Sequence, residues 1–167
     1  MRQRGLVLLL SLALVLLLGL LGLSALGSAI QQERMARNLS STLQAFEQAQ
    51  QLLQQAESRA LELAGPRCEF CLPPPEAGVI TSGGVYAGTG ASSGLSWQAG
   101  DRGFYLIQSL GESTKARQMP PDLKVALYRI TAVARDGSAR SVLESVIAQP
   151  VGPAPQHGRR ILWRQVY

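Results

Sequence analysis

The stretch 6-LVLLLSLALVLLLGLLGLSAL-26 decides the fold of this chain. Leu6–Leu26 is 21 residues without a charge. At about 1.5 Å per residue such a helix measures about 31 Å, the thickness of a bilayer's hydrocarbon core at about 30 Å. Ser11, Gly19, Gly22 and Ser24 interrupt the leucines, and small residues of this kind are common where membrane helices pack together. Arg2 and Arg4 lie just ahead of the run. The positive-inside rule then puts the N-terminus in the cytoplasm and everything beyond Leu26 outside. The apolar region exceeds the 7–15 residues or so of a secretory signal, so an anchor is the preferred reading. Small residues from Ala25 to Ala29 leave a cleavable signal as the alternative.

Working outward, 29–64 contains no proline and few β-branched residues. Met35, Leu39, Leu43, Phe46, Ala49, Leu53, Ala56, Ala60 and Leu63 recur every three or four positions, the stripe of an amphipathic helix. The other face carries Gln48, Gln50, Gln51, Gln54, Gln55 and Glu57. Gly65 and Pro66 supply a helix stop. Nothing stronger than Gly27 separates anchor from stripe, so one continuous helix from Leu6 to Ala64, about 88 Å long, is expected. The stripe lacks sustained heptads, which argues against a free coiled coil. Met35, Leu39, Leu43, Phe46 and Leu53 are expected to face a sheet of the same domain.

Beyond Pro66 the composition turns to proline, glycine and serine, the mark of a long irregular connection, with one short strand expected at Val79–Thr81. Gly103–Leu110, Leu123–Ala134, Ala139–Ala148 and Arg159–Tyr167 are rich in β-branched and aromatic residues and read as strands. Asp136-Gly137 marks a two-residue hairpin. The expected class is α+β: a long N-terminal helix, membrane-spanning in its first half and amphipathic in its second, with a small C-terminal antiparallel sheet packed on it.

Three stretches carry a family resemblance. RQRG before LVLLL is similar to the short basic leader, ending in glycine, that a prepilin peptidase removes. Leu21–Glu57, with Gln-Glu-Arg-Met-Ala-x-Asn at Gln32–Asn38, resembles the junction of membrane helix and spine in type IV pilins. Tyr128–Val146 is similar to the terminal hairpin of PilX-type minor pilins of Gram-negative bacteria. The tail after Pro150 has no counterpart there. The resemblance implies a leader at 1–5, cleaved between Gly5 and Leu6, with methylation of the new amino group on Leu6. It also implies a transmembrane helix at 6–26 and a periplasmic amphipathic half at 27–64. A connection at 65–102, an antiparallel β region at 103–149 and a C-terminal extension at 150–167 complete the division.

The family's major subunits carry a glutamate at the fifth mature position, and here that position is Leu10. A carboxylate in hydrocarbon costs about 2.5–3.5 kcal/mol unless paired. Leucine there lacks the handle on a subunit above, as suits a tip or initiating position. A tolerated substitution anywhere in the fibre is the alternative. The implied function is a minor pilin that helps initiate pilus assembly at or near the fibre tip, supporting surface attachment and twitching motility. Implied partners are other minor pilins, the major pilin, the inner-membrane assembly platform and the prepilin peptidase, with a large tip adhesin as a further candidate. The implied location is the inner membrane, with the C-terminal domain in the periplasm, and then the surface pilus. A tip pseudopilin of a type II secretion system and a membrane-anchored periplasmic binding or adhesion module that never polymerises are the alternatives.

Cys68 and Cys71 form C-x-x-C. In an exported domain a disulfide is the default. Unpaired thiols and a metal or redox role stay open, although Pro73-Pro74-Pro75 follows where a redox site would want a helix start. No cofactor or metal is expected, since His157 is the single histidine. Gly90-Ala91-Ser92-Ser93-Gly94 matches the hydrolase pattern G-x-S-x-G, with Asp101, Asp122, Asp136 and His157 following. Glycine and serine are too common here for that match to weigh much, and no strand–turn–helix surrounds it. No enzyme is expected. The formal charge of +5 includes Arg2 and Arg4 of the leader, so it says little about nucleic acid. Arg159, Arg160 and Arg164 read as a solvated strand face, and nucleic acid is not an expected partner.

Overall fold

Leucine and alanine, good helix formers without a single proline before Pro66, make the first third of the chain helical. The computed structural model describes residues 3–63, 65–152 and 158–166. Helix α1 runs from Gln3 to Ser58. The chain divides into two compact units, Met1–Ser40 and Ser41–Tyr167. In the first, every side chain from Gly5 to Ser40 is exposed.

The helix ends earlier than its stop signal suggests. Arg59 forms a turn, its amide donating to Ala56 O at 3.2 Å, and a short helix α2 follows at Ala60–Leu63. The change of direction places Ala60 in the same buried cluster as Ala56. Ala64 lies outside the described residues, as do Met1 and Arg2 of the expected leader and His157.

Among the described residues six strands form one antiparallel sheet in sequence order: β1 Gly84–Val85, β2 Ser96–Gly100, β3 Gly103–Ser113, β4 Val125–Asp136, β5 Ala139–Pro150 and β6 Arg159–Gln165. The long antiparallel strands follow the β-branched runs. The β4–β5 turn is shifted by one residue from the Asp136-Gly137 expectation. Asp136 pairs with Ala139, and Gly137-Ser138 form the loop, with Gly137 at φ +58° as a primed hairpin turn requires. In β3, Ser109 opposes Tyr128 and Gly111 opposes Leu127. Leu110 is thus extra, a bulge at which Gly111 takes φ +91°.

Both faces of the sheet are covered. On one, Tyr105, Ile130, Ala132, Ala134, Leu143 and Ile147 pack against Ala49, Leu52, Leu53, Ala56 and Ala60. Alanines from both sides let helix and sheet backbones approach closely. On the other face, Leu106, Val133 and Val142 pack under Trp97, Ala77 and Ile80. The expected irregular connection 65–102 thus contributes two strands, β1 and β2, to the sheet, and its part before Gly84 covers this face. Val79–Thr81 is not a strand. The prolines before it start a 3₁₀ turn at Pro75–Gly78, and Ile80 drops into the core as that turn ends.

The expected stripe needs correction. Leu53 is fully buried and Phe46 half-buried, but Met35, Leu39 and Leu43 are 67%, 60% and 53% exposed. Ala45 is the first buried residue of α1. At about 100° per residue, Leu43 lies about 120° around the helix from Ala49. The face turned to the sheet is built from Ala45, Ala49, Leu52, Leu53 and Ala56.

Candidate functional site

Two regions carry chemistry that packing alone does not explain. The first is the start of α1. Gly5, Leu6 and Leu10 stand on an open helix surface, with Leu6 and Leu10 about two-thirds exposed. A Cβ added at Gly5, Gly19, Gly22 or Gly27 would meet nothing, so these glycines serve no contact within the chain. No charged residue occurs between Gly5 and Gln32, and Glu33 with Arg37 forms an i,i+4 pair just beyond. Two hydroxyls along this stretch bond back to the helix backbone. Ser11 donates to Leu8 O at 2.8 Å and Ser28 to Ser24 O at 3.1 Å, the usual back-bond of a serine within a helix. α1 is long and apolar enough to cross a membrane.

The second region is the layer over the sheet's outer face. Cys68 and Cys71 are joined in a disulfide with Cα atoms 5.4 Å apart. Its hairpin is held to the sheet from several sides. The Cys68 amide donates to Ser109 O at 2.8 Å, and Gln108 Nε2 donates to Phe70 O and Leu72 O at 2.8 and 3.1 Å. The Arg129 guanidinium donates to Cys71 O. Arg129 also stands 3.6 Å from Glu144, whose side chain is 1% exposed. Arg164 reaches the same carboxylate at 2.9 Å from β6. The disulfide thus caps a buried polar row, Gln108–Arg129 beside Thr131–Glu144–Arg164, set by strand register.

The C-terminal arginines are engaged within the fold and do not form one solvated face. Arg160 forks onto Glu57 of α1 at 2.8 and 2.6 Å, which holds its guanidinium above the ordinary arginine value. Arg164 turns to Glu144, and Arg159 donates to Gln118 O at 3.0 Å. Phe46 meets Trp163 of β6 edge-on, ring centres 6.3 Å apart.

Glu76 organises the rest of the layer. Fully buried, it accepts from the Ser93 amide at 2.9 Å, from Trp97 Nε1 at 3.1 Å and from the Ser93 hydroxyl. Burial pushes its pKa up, but these bonds and one from its own backbone outweigh burial and hold it below 4.5. A depressed carboxyl contributes stability that is whole above its unfolded pKa and lost as pH falls through the folded one. Stability is therefore expected to hold from neutral pH to about 5 and to decline below about 4.5. Glu76→Gln should cost about 1–3 kcal/mol at neutral pH and flatten that acid decline, read by denaturant unfolding of the full chain in micelles at both pH values.

Ser92 of the G-x-S-x-G match lies exposed in the loop between β1 and β2, where its hydroxyl accepts the Gly94 amide at 3.1 Å. Its neighbour Ser93 is bound to Glu76. Among the described residues no three of His, Cys, Asp or Glu come together as a metal requires. The Glu76 anchor and the Glu144 row escaped sequence reasoning. The one available signal was a carboxylate among the valine, leucine and isoleucine residues of β5. No family model, curated protein or solved structure matches this chain.

Proposed function

We propose that the chain is a PilX-like minor pilin that helps initiate a type IV pilus and sits at or near its tip. The observation that supports this most is the continuity of α1. The segment on which the sheet packs is the same helix that carries, unburied, the charge-free run Leu6–Leu26. Such a run needs lipid first and neighbouring helices later, and both suit a subunit that leaves the membrane to enter a fibre. In this reading the N-terminus is cytoplasmic, the peptidase cuts between Gly5 and Leu6, and Leu6 is methylated. The sheet unit is periplasmic until assembly carries it outside.

Leu10 tests the tip position. Leu10→Glu restores the carboxylate that internal subunits use. At the tip no amine lies above it, so the glutamate would stay unpaired near hydrocarbon at a cost of about 2–4 kcal/mol. Surface pili per cell should fall in that strain while the variant stays processed and stable by immunoblot. Normal piliation with abundant incorporation along the shaft would overturn the tip reading. Leu10 equally suits a tip pseudopilin, and a deletion that abolishes secretion but spares twitching would favour that second reading.

A further inference from the structure

The β2–β3 and β4–β5 turns lie at the same end of the sheet, because both hairpins run in the same sense. There Arg135 stands directly across β4–β5 from Arg140. Like charges at opposed positions destabilise a strand pair. Burial, and then the Arg140 charge, push Arg135 below the ordinary arginine value. The Nε atoms of both side chains are shielded from solvent and have no hydrogen-bond partner. Beside them a cleft of about 270 Å³ is lined by Phe104, Val133, Arg102, Asp101 and Arg135, with Gly100 and Gly103 at the tight turn. Among the described residues, none of Arg102, Arg135 and Arg140 has a carboxylate within ion-pair reach.

We infer that this cleft binds a carboxylate, presented on an apolar stem by an acidic side chain of another polypeptide. The inference goes beyond the pilus reading and does not depend on it. Three observations select the occupant. Guanidinium forks match a planar carboxylate with two parallel hydrogen bonds, and half-buried Arg135, in the cleft lining and without an acceptor, offers that fork, with Arg140 adding positive charge from the paired position. Half-buried Phe104 gives the cleft an apolar wall, which suits the methylenes of a glutamate and offers a phosphate nothing. Asp101 lines the same cleft and Asp136 adjoins Arg135 in β4, so the basic spot is short and flanked by negative charge. A nucleic acid gains affinity from a row of phosphate contacts, which this arrangement interrupts.

The test uses the full chain in detergent micelles, with arginine Nε–H groups followed by nitrogen-15 NMR. The probes are a blocked tripeptide with glutamate between two leucines, its glutamine analogue, and a short thymidine oligonucleotide. The glutamate peptide should shift the Arg135 and Arg140 signals saturably, and the glutamine analogue should not. Arg135→Gln with Arg140→Gln should weaken binding about tenfold or more while leaving the unfolding temperature unchanged or raised, since the opposed charges are gone. Arg102→Gln, an exposed turn substitution, should weaken it by a smaller factor. The inference is overturned if no probe moves these signals, if both peptides bind alike, if the double variant binds as the wild type does, or if the oligonucleotide binds more tightly than the glutamate peptide.

Discussion

Leu53→Ala is expected to remove about 2–5 kcal/mol of stability, the cost of a cavity where a leucine is fully enclosed. Leu53 lies at the middle of the helix–sheet interface, with Ile130, Leu143 and Tyr105 in the same cluster. Gln54→Ala, one residue on and exposed, should change stability by no more than about 0.5 kcal/mol. Leu43→Ala should resemble Gln54→Ala despite its apolar character, because Leu43 points away from the sheet-facing arc. Urea unfolding of the full chain in micelles checks all three. Equal losses at Leu43 and Leu53 would mean that the helix is rotated differently against the sheet.

A comparable loss, about 3–5 kcal/mol, is expected from Arg129→Ala, which removes one of the two guanidinium groups that compensate a buried carboxylate. Glu144 would keep only Arg164, whose side chain is half exposed, and the disulfide hairpin would lose its bond to Cys71 O. The partner change isolates the cause. In Arg129→Met with Glu144→Leu the buried charge disappears together with its neutraliser, so the double variant should be far closer to wild type than Arg129→Ala alone. A double-mutant cycle by urea unfolding measures this coupling. A loss below about 1 kcal/mol for Arg129→Ala would show that the Glu144 charge does not rely on it.

The parts legible beforehand were those in which a local rule binds many residues at once. Leu6–Leu26 is readable as helix because its leucines and alanines favour that conformation and no proline or charge interrupts them. β4 and β5 are readable because runs such as Tyr128–Val133 and Val142–Ile147 suit extended backbone and little else. The C-x-x-C pair follows from redox chemistry and separation. The connection 65–102 was opaque for the opposite reason. Its prolines, glycines and serines take their conformation from distant partners, Ile80 and Trp97 from the sheet and Ser93 from Glu76. Helical rotation was also hidden. A stripe with leucines on one side and alanines on the other buries the alanines, because close approach to Ala132 and Ala134 rewards small side chains. A turn one residue off would pair Arg135 with Ser138, so the opposed arginines become visible only once Gly137-Ser138 is the loop.

The central claim, a prepilin that is cut and retained in the membrane, reduces to one covalent bond. Intact-mass and N-terminal peptide analysis of the protein extracted from membranes of cells with active prepilin peptidase reads that bond directly. The account predicts that Met1–Gly5 is missing, that Leu6 is the first residue and that its amino group carries a methyl. A chain that still begins at Met1, or one cut near Ala25–Ala29 and released from the membrane, would contradict it.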